Sequence, residues 1–140
     1  MKHETKRTNS IVLRKLLSNL YGAFGLEGIA WIEGIDSTAS NVEKYANRLG
    51  ANFPRNVLRD LKRDAYIRCY EINKSRIETF LEFYPGLPDE RKSLTLVSME
   101  ENYREANECA KRLGDDSYKF ALNSLRQILE RKRERLIDND

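Results

Sequence analysis

The stretch from Pro54 to Tyr84 contains no internal proline or glycine, and it constrains the fold more than any other feature of this chain. Proline is favoured at the first position of a helix, and Tyr84-Pro85-Gly86 forces a break, so the pattern predicts one long helix. One face of this helix carries Leu58, Leu61, Ala65, Cys69 and Ile72, and a second carries Tyr66, Tyr70, Ile77, Leu81 and Tyr84. A helix with two apolar faces needs two neighbours, so we expect an all-α fold in which it joins two packing units. If the helix is interrupted, Asn73-Lys74-Ser75 is where we expect a kink.

A shorter helix is predicted before it. Ser40 and Glu43 have the spacing of a capping box, which predicts a helix that begins at Ser40 and ends at Gly50. Its buried side chains would be Val42, Tyr45, Ala46 and Leu49. A small residue at Ala46, a glycine four residues later and Val57 beyond the turn would let two short helices cross closely. The sequence therefore predicts a helix-turn-helix from Ser40 to Asp64.

The outer face of the second helix of this pair is polar and cationic. It carries Arg55, Asn56, Arg59, Lys62 and Arg63, and Lys44 lies on the helix before it. Arginine can read guanine and asparagine can read adenine in the major groove, while long cations contact phosphates. We expect Arg55, Asn56 and Arg59 to lie nearest the bases. We expect Lys44, Lys62 and Arg63 to lie nearer the phosphates. The alternative is a plain helical hairpin with a solvated basic face.

These residues resemble the helix-turn-helix superfamily through Ala46, Gly50, Pro54 and the segment V-L-R-D-L-K-R. The resemblance implies double-stranded DNA as the partner. A rival register of the same motif starts at Ala30 and Gly34, with Asp36-Ser37-Thr38 as its turn. Further upstream we predict a helix from Ile11 to Phe24 and a short helix from Leu26 to Glu33 that packs against it.

The second half of the chain predicts an antiparallel helical hairpin. Leu87-Pro88-Asp89-Glu90 connects to a helix that Gly114 ends, and Asp115, Asp116 or Ser117 can cap the next one. The first stripe is Leu96, Met99, Tyr103, Ala106, Ala110 and Leu113, and the second is Phe120, Ala121, Leu125, Ile128, Leu129 and Leu136. The hairpin after a helix-turn-helix is similar to the order of parts in small subunits of phage terminases, which assemble as rings that present DNA for packaging.

The predicted hairpin covers its own apolar stripes and leaves the second face of the long helix without a neighbour. That face is Tyr66, Tyr70, Ile77, Leu81 and Tyr84. A large exposed apolar strip usually marks a contact surface. We therefore expect a homo-oligomer built through this strip. The domains would be residues 1–66, the DNA-binding region, and residues 67–140, the association region.

The balance of charged residues differs between the two halves of the sequence, which suggests that the halves bind different partners. Residues 1–76 have 14 Lys and Arg against 8 Asp and Glu, whereas residues 77–140 have 11 against 14. A basic half suits a polyanion, and an acidic half suits self-association or a larger protein partner. The rival function is a helical protein–protein interaction module, for example a phage-encoded inhibitor or adaptor, without a nucleic-acid role.

Residues suited to catalysis are scarce. His3 is the only histidine, the two cysteines Cys69 and Cys109 are far apart in sequence, and no glycine-rich phosphate loop occurs. We expect no enzyme activity, no cofactor and no metal site, and we expect both thiols to be reduced and buried. No apolar run approaches the roughly 20 residues that span a bilayer. The expected location is the cytoplasm, or the host cytoplasm if the protein is viral.

Overall fold

The computed structural model describes residues 32–49 and 55–138. The described residues form four α-helices and one short 3₁₀ helix, without a strand, and the predicted all-α class is confirmed. The helices are α1 (Ile32–Leu49), α2 (Arg55–Phe83), α3 (Asp89–Leu113) and α4 (Asp116–Asp138), and the 3₁₀ helix is Tyr84–Gly86. The chain divides into two compact units, residues 1–68 and 69–140, and α2 runs through the boundary.

Helix α1 begins earlier than predicted. It starts at Ile32 and continues through Ser40, so the predicted start at the capping box is wrong. The rival turn at Asp36-Ser37-Thr38 is also wrong, because these residues are helical. The physical reason is packing: Ile32, Ile35 and Ala39 recur at helical spacing and are buried. Burying this stripe outweighs the local capping preference of Ser40.

Several predictions for the first half lie outside the described residues. These are the Ile11 to Phe24 helix, residues 26–31 of the next predicted helix, the turn at Gly50 and the start at Pro54. The described end of that second predicted helix, Ile32 and Glu33, belongs to α1. The side chains of Val42, Tyr45, Ala46, Leu49, Val57, Leu58 and Leu61 are also outside what the structure describes.

Helix α2 confirms the long helix and its end. It is continuous from Arg55 to Phe83, and the 3₁₀ turn Tyr84–Gly86 follows at the predicted break. No break occurs at Asn73, the expected position of a kink. The Asn73 side chain is buried, and its amide donates a hydrogen bond to the Cys69 carbonyl oxygen at 2.8 Å. The buried amide is thus satisfied within its own helix.

Helices α3 and α4 form the predicted hairpin. Asp89 and Glu90 lie in the first turn of α3, where negatively charged side chains interact favourably with the helix dipole. Gly114 ends α3 in the left-handed conformation with φ 70°, and its N–H donates to the Ala110 carbonyl at 3.1 Å. A carboxylate oxygen of Asp115 then accepts from the Ser117 N–H at 2.9 Å and from the Ser117 hydroxyl at 2.8 Å. Of the three candidate caps for α4, Asp115 is the one used.

The core of the second unit follows the predicted stripes with two exceptions. Leu96, Met99, Ala106 and Ala110 of α3 are fully buried, together with Cys109 and nearly all of Asn102. On α4 the buried leucines are Leu122, Leu125 and Leu129. The prediction that Phe120 is buried is wrong, because this residue is 79% exposed. The predicted stripe also lacked Leu122, which is buried. Phe120 precedes Leu122 by two residues, which places it on the opposite side of the helix.

The predicted oligomer strip is buried inside the chain. Tyr66, Tyr70, Ile77 and Tyr84 are each less than 9% exposed, and Leu81 is half-buried. The Tyr70 hydroxyl donates to the Tyr118 carbonyl oxygen at 3.0 Å, and their rings meet edge to face at 4.9 Å. The hairpin therefore packs on α2 as well as on itself. This corrects the premise of an exposed strip, and an association surface has to be sought elsewhere.

Candidate nucleic-acid interface

Two side-chain contacts join α1 to the first part of α2. The Tyr66 hydroxyl donates to the Asp36 carboxylate, and the Lys62 ammonium lies 2.7 Å from the Glu43 carboxylate. The later residue of α1 meets the earlier residue of α2, as expected for consecutive helices that turn back on each other. With 18 residues, α1 is longer than the predicted helix from Ser40 to Gly50, whereas the 29 residues of α2 match the predicted long helix.

Three of the predicted DNA-binding side chains share one exposed face of α2. Asn56, Arg59 and Arg63 are all exposed. They stand at positions i, i+3 and i+7, which places them along one side of a helix. Such a row presents two guanidinium groups and one amide to a partner. Arg55 belongs to α2, but its side chain lies outside the described part of the structure.

Helix α1 adds two exposed cations, one of them next to its ion pair with α2. Lys44 is exposed and follows Glu43, whose carboxylate binds Lys62 of α2. Arg48 is also exposed, one turn after Lys44. Arg48 was not among the DNA-binding residues predicted from the sequence. Its spacing of four residues from Lys44, which places both on one side of a helix, could have indicated it.

Lys62, which was predicted to contact phosphate, forms an ion pair in the structure. Its ammonium is already paired with Glu43, and 30% of its side chain is exposed. A phosphate would have to compete with that carboxylate. The ion pair joins α1 to α2 and contributes at most about 1 kcal/mol in solvent. The contact of Lys62 with phosphate stays a prediction.

Acidic side chains interrupt the cationic face. Asp60 and Asp64 are exposed, and each follows an arginine directly. Asp60 stands four residues after Asn56 and three before Arg63, so it neighbours both on the same side of the helix, and Asp64 lies at the edge of that side. The cationic row therefore has a border of mixed charge.

Within residues 32–49 and 55–138, no three His, Cys, Asp or Glu side chains gather in a way that could hold a metal ion. None of the helices in this part of the chain combines the length and apolar character needed to cross a membrane. Comparison of the chain with protein-family models, with curated proteins and with solved structures found no match.

Proposed function

We propose that this chain is a non-enzymatic protein that binds double-stranded DNA through the first part of α2. The observation that carries the proposal is the exposed row of Asn56, Arg59 and Arg63. A helix with such a row fits the major groove, where arginine binds guanine and asparagine binds adenine through paired hydrogen bonds. Lys44 and Arg48 on α1 would contact the flanking phosphates.

The biological role follows from the same proposal. A DNA-binding helix pair followed by a helical hairpin suits a packaging factor like a phage terminase small subunit, or a transcription regulator. Both roles place the protein in the cytoplasm, or in the host cytoplasm if it is viral. Self-association would strengthen DNA binding in either role, because a symmetric assembly presents several DNA-binding helices to one duplex.

A salt titration of duplex binding tests the proposal. The probe is a set of mixed-sequence duplex fragments, and the unmodified chain is compared with an Arg59→Ala, Arg63→Ala variant. Each phosphate contact should contribute about 0.9 log unit of affinity for each tenfold change in salt, so binding should weaken steeply as salt rises. The variant should bind more weakly at every salt concentration. A matched control is Arg91→Ala, Arg131→Ala, which removes two exposed arginines from the second unit.

The second candidate is a protein–protein interaction module. The observation in its favour is the mixed border of the cationic row, since exposed Asp60 and Asp64 would repel a phosphate backbone but suit a protein surface with both signs of charge. The titration separates the two functions. No duplex binding at low salt, or equal binding by the Arg59→Ala, Arg63→Ala variant and its control, would reject DNA binding by this face.

A further inference from the structure

An open cleft lies along the α3–α4 hairpin of the second unit. Its volume is about 530 Å³. Buried Leu129 and half-buried Tyr103 line it with apolar surface, and charged side chains form its walls. The charged lining on α3 is Glu100 and Arg104, and on α4 it is Arg126, Glu130, Arg133 and Glu134.

The cleft lies away from the contact between α2 and the hairpin. Cys109 of α3 forms a hydrogen bond with Cys69 of α2, and this bond is the largest cause of the raised pKa of Cys109. Arg104 precedes Cys109 by five residues, which is about 140° around the helix. Arg104 is accordingly exposed. The hairpin thus uses one side for α2 and leaves this second side open.

A cross-helix ion pair holds the two walls together. The Arg133 guanidinium donates to both carboxylate oxygens of Glu100, with the Nε contact at 3.3 Å. One turn beyond this pair, Val97 on α3 and Ile137 on α4 are 44% and 64% exposed. Val97 precedes Glu100 by three residues and Ile137 follows Arg133 by four, so in an antiparallel hairpin both extend the same side toward the same end. The open side therefore offers apolar surface as well as charge.

The balance of charge indicates which partner fits. The lining has three arginines and three glutamates, so its formal charge is zero. A polyanion such as DNA would meet as many carboxylates as guanidinium groups. In a two-fold symmetric contact, the same patch of each copy faces the other, so a patch of one sign would repel itself. A patch with both signs in equal number can pair with its own copy.

We propose that this cleft is the surface through which two copies of the chain associate. Tyr103, Val97 and Ile137 would be covered by the second copy. Arg133 and Arg126 already pair with Glu100 and Glu130 within the chain, so Arg104 of each copy would face Glu134 of the other. This surface replaces the buried strip that the sequence suggested. The proposal does not depend on DNA binding, because none of its residues belongs to the cationic row of α2.

Charge reversal tests it on the full chain. In one variant, Arg104→Glu and Arg126→Glu make the cleft acidic; in the other, Glu130→Lys and Glu134→Lys make it basic. Each should be monomeric in light scattering at about 100 micromolar, where a dimer with a dissociation constant of a few micromolar is mostly assembled. An equimolar mixture should recover the dimer mass, because the two altered clefts complement each other. The control Arg91→Glu, Arg131→Glu reverses two exposed arginines of the same helices outside the cleft and should remain dimeric.

Circular dichroism keeps the test independent of folding. If a charge variant loses helix content, Val97→Glu, Ile137→Glu replaces it, since both side chains are exposed and should not disturb the core. This variant should also be monomeric. A monomeric unmodified chain would overturn the proposal. So would dimers in both charge variants, or a mixture of two folded monomeric variants that fails to associate.

Discussion

At the scale of the residue, Tyr84 shows how a side chain at a helix break becomes part of a core. Its ring is 7% exposed and lies 4.2 Å from the Lys132 ammonium and 5.6 Å from that of Lys92. Burial raises the pKa of Tyr84 and lowers that of Lys132, but a cation over an aromatic face regains part of the cost. Lys92 and Lys132 are 40 residues apart in the sequence. Only the hairpin brings them to one ring, so the sequence could not reveal this environment.

The two cysteines provide a prediction at the same scale. Cys69 and Cys109 are free and fully buried, as the sequence indicated for both. The pKa of Cys109 lies well above its ordinary value, first because of its hydrogen bond with Cys69 and then because of burial. The thiolate is the reactive form, so we expect almost no reaction with a thiol-specific disulfide reagent at pH 8 in the native protein. In concentrated denaturant, both thiols should react. Rapid labelling of the folded chain would contradict the described packing.

At the scale of the element, α1 and α3 show where local signals succeed and where they fail. Gly114 ends α3 as predicted, because a left-handed residue after a helix is a local requirement that glycine meets at low cost. The start of α1, by contrast, is not decided by neighbouring residues alone. Ser40 and Glu43 have good capping chemistry, but Ile35 and Ala39 are buried against other parts of the chain and keep the helix intact across Ser40. Tertiary burial therefore decided the boundary.

Two glycine substitutions should change stability in opposite directions. Gly34→Ala should raise the free energy of unfolding by about 0.5–1 kcal/mol, because alanine is the better helix former and open space surrounds the position. Gly114→Ala should lower it by about 1 kcal/mol, because the site also has space but has a φ of +70°. Urea unfolding followed by circular dichroism measures both. Destabilisation by Gly34→Ala would indicate that residue 34 is not in a helix, and an unchanged Gly114→Ala would contradict the left-handed cap.

At the scale of the whole molecule, the two compact units carry different surfaces. The cationic row on α2 belongs to the unit of residues 1–68, and the cleft of balanced charge belongs to the unit of residues 69–140. The cationic row lies in the basic first half of the sequence, whereas the cleft is neutral although the second half is acidic. The proposed DNA contact and the proposed association surface therefore use separate residues.

Separate surfaces predict separable effects. Arg59→Ala, Arg63→Ala should lower duplex affinity and leave the mass in light scattering unchanged. Arg104→Glu, Arg126→Glu should lower the mass and preserve the helix content, because these arginines are exposed and outside the core. Measuring the mass and the circular dichroism of both variants checks this. Loss of association in the Arg59→Ala, Arg63→Ala variant would show that the two surfaces are not independent.

The sequence by itself determined the features that depend on neighbouring residues. The length of α2, its end at Tyr84-Pro85-Gly86, the glycine cap at Gly114 and the acidic first turn of α3 all follow from backbone preferences and helix termini. Most of the α3 stripe follows from the period of the helix. The exposed row of Asn56, Arg59 and Arg63 could be predicted for the same reason.

Only the tertiary structure decided which apolar faces are covered and which charges remain available. Tyr66, Tyr70, Ile77 and Tyr84 look like an exposed strip in sequence, yet they are buried: Tyr66 contacts α1, and Tyr70 and Tyr84 contact the hairpin. Lys62 looks like an unpaired cation in sequence, yet it forms an ion pair with Glu43, 19 positions away. Burial and ion pairing depend on distances between residues remote in the chain, and helical period and composition do not contain that information.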